Sequence, residues 1–420
     1  VPSKAVIEAA RTGLGFDTAF ERARGAVERI AATESTDILR REGIEVVEGE
    51  GVLVGPGQVR AAGRQVEARG VVLALGSRPL VPPIPGLAEA DPLTSETLWH
   101  LELAPASLAV LGGGPMGCEL SQALATLGVA TTLIEAADRV LPGEEEAASA
   151  VVRTELEAAG VAVRTGTSVQ YVDIDPADPT GSRLVLADGS SVRCQHILVA
   201  TGRRARSDRG GLAELGIALD DTGAVVVGSD LATSLDRTWA AGDLTGISAT
   251  THGADHMGRL AAANICRRVG RGHFRPEQIP RVTFTHPEVA AVGLSEADAA
   301  RTLAGARVAE LPLSEHDRAV VAGRTEGYLK LIAAPRRGLG NVGGGRLVGA
   351  TVVADRAGEL IAELTLALHL KAFVGRLAVS VHPYPTWSYA IPKAAAQFFT
   401  TIEGRTARPA RAGAAAHPRR

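Results

Sequence analysis

Residues 107–135 read SLAVLGGGPMGCELSQALATLGVATTLIE, and they constrain the fold more than any other stretch. An apolar run stops at Gly112-Gly113-Gly114-Pro115-Met116-Gly117 and a helical pattern follows. A second apolar run then closes on Glu135, 18 residues after Gly117. A glycine-rich turn alone is weak evidence, because such turns are common. The order strand, G-x-G-x-x-G, helix, strand, acid describes a parallel βαβ unit that holds a dinucleotide. Gly112 permits the tight turn, and Gly114 lets the backbone approach a pyrophosphate at the helix amino terminus, where unpaired N–H groups gather. Gly117 allows close helix–strand packing, and Gly113 and Met116 complete the loop. A carboxylate at Glu135 accepts from the adenosine ribose hydroxyls and repels a 2′-phosphate, so NAD is expected over its phosphorylated form.

Around this unit the chain punctuates into several domains, as 420 residues allow. Residues 4–40 carry apolar positions at helical spacing, and from residue 44 the period shortens to that of strands broken by glycines. VPPIPG (81–86) sustains neither a helix nor a central strand and marks a crossover. The run 143–160 reads as a second helix with acids at its amino end, followed by strands near 161–172, 183–187 and 196–201. A further strand and a helix occupy 203–279, and from 280 long alternating strands and two helices indicate a separate α+β domain. The glycines of RGLGNVGGG (337–345) have no helix after them and read as a hairpin connection. A net charge of −3 offers no basic surface for nucleic acid, and no apolar run reaches the length of a membrane span. The amino terminus opens into a helical pattern rather than a secretory signal. Cys118, Cys194 and Cys266 are too scattered for a disulfide framework and read as small buried hydrophobes in a cytoplasmic protein.

Motifs along the whole chain make it resemble the pyridine nucleotide–disulfide oxidoreductases: dihydrolipoamide dehydrogenase, glutathione reductase and mercuric reductase. VPSK (1–4) is similar to the end of their Cys-x4-Cys-Val-Pro-Ser-Lys motif. ALGSRP (74–79) resembles A-T-G-S-x-P with Leu75 for threonine, and ATGRR (200–204) resembles the second such crossover. AAGDL (240–244) resembles the flavin-binding A-x-G-D, and FTHPEVAAVGLSE (284–296) the opening of the dimerisation domain. The resemblance implies an α/β protein with two Rossmann-like dinucleotide-binding domains and a carboxy-terminal α+β dimerisation domain. The FAD domain would comprise 1–88 and 205–279, the NAD domain 89–204 and the dimerisation domain 280–405, with 406–420 a disordered tail. It also implies FAD and NAD as cofactors, a homodimer, a small-molecule electron acceptor and no metal site. Lys4 and Glu119 would lie beside the flavin ring, where a lysine stabilises electron density at N5. Gly76, Ser77 and Asp243 would hold FAD, and Gly202 would pass close to the nicotinamide.

Two departures from the family accompany these matches. The amino-terminal G-x-G-x-x-G and both redox cysteines are absent, which leads to the expectation of a fragment that holds FAD poorly; a chain that has lost its redox centre is the alternative. The carboxy-terminal signature reads His382-Pro383-Tyr384-Pro385-Thr386-Trp387-Ser388-Tyr389, where dihydrolipoamide dehydrogenases carry H-P-T-x-S-E. Aligning Pro385-Thr386 puts Tyr384 at the base position and Tyr389 at the glutamate, with His382 two residues early. Mercuric reductases resemble the chain in a tyrosine at the base position, yet no cysteine pair stands near this carboxyl terminus. The reading is a mercuric-reductase-like NADH oxidoreductase whose Tyr384 and His382 serve the partner's flavin site. A dihydrolipoamide dehydrogenase and a non-catalytic nucleotide-binding remnant are the rivals.

Overall fold

Four parallel strands carry the glycine loop, in the order His196–Val199, Ser107–Leu111, Ala130–Glu135, Ala162–Thr165. The computed structural model describes residues 1–174, 181–267, 269–336 and 338–412. Both faces of the sheet are covered, which is why these strands read as continuous apolar runs. On one face Leu108, Val110 and Leu133 pack with Leu120 and Leu124 of the helix Pro115–Thr126 and Val152 and Leu156 of the helix Glu146–Ala158. On the other, Ala109, Leu111, Ile134 and Ile197 meet Leu184 and Leu186 of an antiparallel sheet, Val169–Ile174, Ser182–Leu186 and Ser191–Cys194. The helix Pro2–Arg11 adds Val6, Ile7 and Ala10 to the first of these layers.

From Pro280 onward the chain builds a six-stranded antiparallel sheet. Its order is Arg281–Thr283, Glu288–Gly293, Arg346–Ala354, Tyr328–Ala334, Arg307–Pro312, Arg408–Pro409. Every residue of Glu288–Gly293 and Tyr328–Ala334 is buried, because this sheet too is covered on both faces. Leu329, Leu331, Ala350 and Val352 pack against the helices Ala357–His369 and Ala390–Ala396, whereas Val289, Tyr328 and Val353 join the core around the parallel sheet. Gln397, also buried, donates from Nε2 to Glu310 O (3.0 Å) and accepts at Oε1 from Glu310 N (3.3 Å). The segments 1–24, 81–201 and 280 onward form one compact unit.

Residues 25–80 and 202–279 form the second unit. It holds an antiparallel meander (Val52–Gly55, Gln58–Ala61, Arg64–Glu67), the parallel pair Val71–Leu73 with Thr238–Ala240, and the antiparallel pair Ser77–Pro79 with Arg203–Ala205. The helix Thr251–Cys266 is capped by Thr250, whose hydroxyl accepts from Gly253 N.

Several sequence expectations change here. The helical stretch 4–40 is three helices, Pro2–Arg11, Phe16–Thr33 and Thr36–Arg41, interrupted first where Gly13 takes φ +74°. Residues 44–51 contain no strand; pairing begins at Val52. Cys118 and Cys194 are buried but Cys266, at the end of its helix, is exposed. The segment read as a tail from 406 supplies the strand Arg408–Pro409, and Arg408 pairs with Glu296. Residues 413–420 of that segment lie outside the described residues.

Candidate functional site

The glycine loop has the geometry that its spacing requires. Gly112 takes φ +104°, and a Cβ there would lie 2.6 Å from Ala200 O. One on Gly117 would lie 1.8 Å from Gly112 O, so only glycine permits this approach of helix and strand. A Cβ on Gly114, the helix N-cap, would meet nothing within 4 Å. That open space beside the first helical turn fits a pyrophosphate. Met116 is half-buried against the core, so it offers the loop its backbone. Glu135 closes on the loop: Oε2 accepts from Gly113 N (2.5 Å) and Oε1 from Ala137 N (2.7 Å). Each oxygen keeps a second lone pair for a ribose hydroxyl.

The same helix positions a buried charge. Glu119 lies five residues beyond Gly114 and is 4% exposed. Its Oε2 accepts from Lys4 Nζ and its Oε1 from Phe284 N (2.8 Å). Lys4 Nζ also lies 4.4 Å from the centre of the Phe284 ring, which favours a cation. Just under half of the Lys4 side chain remains exposed.

In the second unit Asp243 Oδ2 accepts from Ser77 Oγ (2.5 Å), and Arg203 Nε donates to the same hydroxyl (2.6 Å). Arg203 Nη2 donates to Ser77 O (3.0 Å), and its Nε lies 3.5 Å from Asp243 Oδ2. Gly76 takes φ +69° and Gly202 φ +133°, each with open space where a Cβ would stand. An acid whose second oxygen accepts no hydrogen bond among the described residues, beside a bare backbone, fits the hydroxyl-rich part of a flavin dinucleotide.

The carboxy-terminal motif divides between two neighbourhoods. Tyr384 is exposed, donates from Oη to Asp317 Oδ2 (2.9 Å) and meets Tyr389 edge-on with ring centres 5.6 Å apart. The hydrogen bond to Asp317, with the charge of that carboxylate, holds the phenol above its ordinary pKa. His382 Nε2 lies 2.9 Å from Glu363 Oε2, and Nδ1 lies 3.1 Å from Ser380 O. Among the described residues no hydrogen bond joins Tyr384 or His382 to Lys4 within the protomer.

Phe284, Arg203, Asp317 and Glu363 have no assigned role in the sequence reading. Arg203 was within reach, since it belongs to ATGRR, whereas the others meet their partners only through the fold. The cysteines offer no redox pair. Burial, with the charges of Glu119 and Glu135, pushes the Cys118 thiol far up, and burial pushes Cys194 up to about 11. A redox nucleophile needs the opposite shift.

Residues 1–258 match the family described as pyridine nucleotide-disulphide oxidoreductase, and residues 279–395 match the dimerisation domain of that family. The chain is 34% identical over 401 residues to a mercuric reductase of Streptomyces lividans, covering 94% of this chain and 82% of that protein. It is 32% identical over 363 residues to a dihydrolipoyl dehydrogenase of Thermus scotoductus, covering 85% and 76%. Among solved structures, LpdA of Mycobacterium tuberculosis aligns with a TM-score of 0.83 at 28% identity, covering 95% of this chain and 90% of that one. The HOCl-induced flavoprotein disulfide reductase RclA of Escherichia coli shares the fold, with a TM-score of 0.83 at 24% identity, covering 94% and 89%. Among the described residues no helix is long and apolar enough to cross a membrane.

Proposed function

Because this chain belongs to the pyridine nucleotide-disulphide oxidoreductases, which bind FAD and NAD(P), we propose that it is a mercuric-reductase-like NADH oxidoreductase acting on a disulfide, metal ion or small-molecule acceptor. The observation that carries this is one helix with two tasks. Pro115–Thr126 begins at the nucleotide loop and, roughly 7 Å further along its axis, holds Glu119 against Lys4. The loop binds the pyrophosphate, and Glu135 accepts from the ribose hydroxyls. Bound FAD supplies the two-electron chemistry. Lys4, oriented by Glu119 and Phe284, would present positive charge where electron density accumulates; within the second unit, Ser77 and Asp243 would offer hydrogen bonds suited to flavin-dinucleotide hydroxyls.

Tyr384 serves the acceptor side. The protein works as a homodimer in the cytoplasm, with Tyr384 directed to the partner subunit. In support, Leu366, Leu370, Val379 and Val381 of the dimerisation domain are exposed apolar side chains that a second copy would cover. Two buried, unpaired thiols suit a reducing compartment.

A dihydrolipoyl dehydrogenase is the second reading, because His382 and Glu363 form a histidine–carboxylate pair. It is the weaker one. Oxygens stand at both ring nitrogens of His382, so whichever nitrogen carries the lone pair in the neutral ring faces an oxygen and not an approaching thiol. Steady-state oxidation of NADH and of NADPH by the FAD-loaded protein, with mercuric ion, lipoamide or a quinone as acceptor, tests the assignment. NADH is expected to bind more tightly by about 1–3 kcal/mol, the cost of facing Glu135 with a 2′-phosphate. Lipoamide as the sole competent acceptor would move the assignment to the second reading.

A further inference from the structure

We infer that Asp317 is the positioning partner of Tyr384, a carboxylate from outside the motif that accepts the phenol's O–H and leaves its oxygen lone pairs facing the acceptor. This rests on the reading of Tyr384 given above and extends it to the class of acceptor.

Where a family member carries histidine at the base position, the glutamate five residues on orients it. Here that place holds Tyr389, which packs edge-on against Tyr384 and supplies no charge. The orienting groups come instead from three successive residues, Glu315, His316 and Asp317. Glu315 O accepts from Lys393 Nζ (2.7 Å), and its carboxylate accepts from Arg405 (2.9 Å). His316, 1% exposed, lies with Nε2 3.1 Å from Thr386 O. Burial holds this imidazole below its ordinary pKa, so it is neutral and donates one N–H to that carbonyl. Asp317, the first residue of the helix Asp317–Ala322, accepts the Tyr384 hydroxyl at 2.9 Å. Each of the three grips the segment 384–405 at a different point, and the exposed Tyr384 is the residue whose hydroxyl Asp317 directs.

The direction of the hydrogen bond fixes what the phenol offers. With its O–H turned to a carboxylate, Tyr384 meets the acceptor with lone pairs and no proton. That suits a metal cation, which takes a lone pair, and it disfavours a quinone carbonyl, which needs a donor. The groups facing the hydroxyl are the Asp317 carboxylate and the Tyr389 phenol, and both raise the pKa of Tyr384, Asp317 more strongly.

The test uses the FAD-loaded protein and the variants Asp317→Asn, Asp317→Glu and Tyr384→Phe. Ultraviolet titration, with the Tyr384→Phe protein subtracted, reads the phenol directly. Asp317→Asn should lower its midpoint and slow reoxidation by mercuric ion roughly 10-fold, with reduction by NADH unchanged and partial rescue in Asp317→Glu. A Tyr384 titration that Asp317→Asn leaves unmoved overturns the pairing itself. A titration that moves while neither Tyr384→Phe nor Asp317→Asn alters reoxidation keeps the pair as a packing contact. It overturns both the positioning role and the acceptor-side reading of Tyr384. A quinone preferred over mercuric ion overturns the acceptor class alone.

Discussion

Two lysines of this protein meet glutamates, and they do so in opposite ways. Lys330, on the central strand Tyr328–Ala334, is 6% exposed and lies 3.0 Å from Glu145, 3.1 Å from Glu296 and 3.3 Å from Glu310. Tyr328 donates to Glu145, and Arg408 pairs with Glu296. Burial works against the charge of Lys330, but Glu145 and then Glu310 and Glu296 outweigh it and hold the ammonium above its ordinary pKa. Lys4 has one carboxylate, Glu119, and one aromatic ring, and close to half of its side chain is exposed. Every donor of the first lysine is enclosed. Glu145 precedes the helix Glu146–Ala158 beside the parallel sheet and Glu310 lies in the antiparallel one, so Lys330 fastens two layers together. The second lysine is oriented but left open on one side, as the proposed role toward a ligand requires.

The comparison breaks most readily at Lys330. Lys330→Met leaves Glu145, Glu296 and Glu310 facing one another, at a cost of roughly 3–5 kcal/mol. Urea unfolding monitored by circular dichroism measures it, and a loss under about 1 kcal/mol would mean that the cluster fastens nothing.

Acid sharpens the same contrast. Burial opposes ionisation of Glu296, but its hydrogen bond from Arg408 and the charge of Lys330 hold its pKa down to about 2. A depressed folded-state pKa means that the unfolded chain binds the proton first as pH falls. The stabilisation, about 3 kcal/mol, is therefore complete above the unfolded value near 4.5 and is lost progressively toward pH 2. Unfolding midpoints in urea should fall between pH 5 and pH 3 in the native protein, and less so in Glu296→Gln. Equal slopes in the two proteins would place the acid sensitivity elsewhere.

Lys4→Met should destabilise least, by roughly 1–3 kcal/mol, because Glu119 keeps the Phe284 N–H. Its main effect belongs to turnover, with reduction by NADH slowed about 100-fold in stopped-flow absorbance. A variant that unfolds easily yet reduces normally would make Lys4 a second Lys330.

What sequence reveals follows the range of the interaction. The loop 112–117 and Glu135 are legible because strand, turn, helix and acid lie within one contiguous βαβ unit, where spacing fixes geometry. Lys330 and Asp317 carry no such signal. Glu145 is 185 residues from Lys330 and Tyr384 is 67 from Asp317, so only the packed sheets and the 315–317 segment bring them together. Local patterning also misled where tertiary covering decides. The carboxy-terminal strands were expected to alternate, but they are buried on both faces. Cys266, apolar by composition, ends a helix on its open side. Arg408 looked like tail because a two-residue strand leaves no period to read.

That two-residue strand and Gln397 together have a consequence for solubility. Arg307–Pro312 would otherwise present a row of unpaired amides, a template for intermolecular pairing. Val308 and Arg307 pair with Arg408 and Pro409, and the next outward rung, at Glu310, is closed by the Gln397 side-chain amide acting as a one-residue strand. A proline and a glutamine thus terminate hydrogen-bond propagation where a longer strand would have invited it. Removing the chain from Arg408 onward, or Gln397→Ala, strips away that terminus and turns a sealed border into a seed for aggregation.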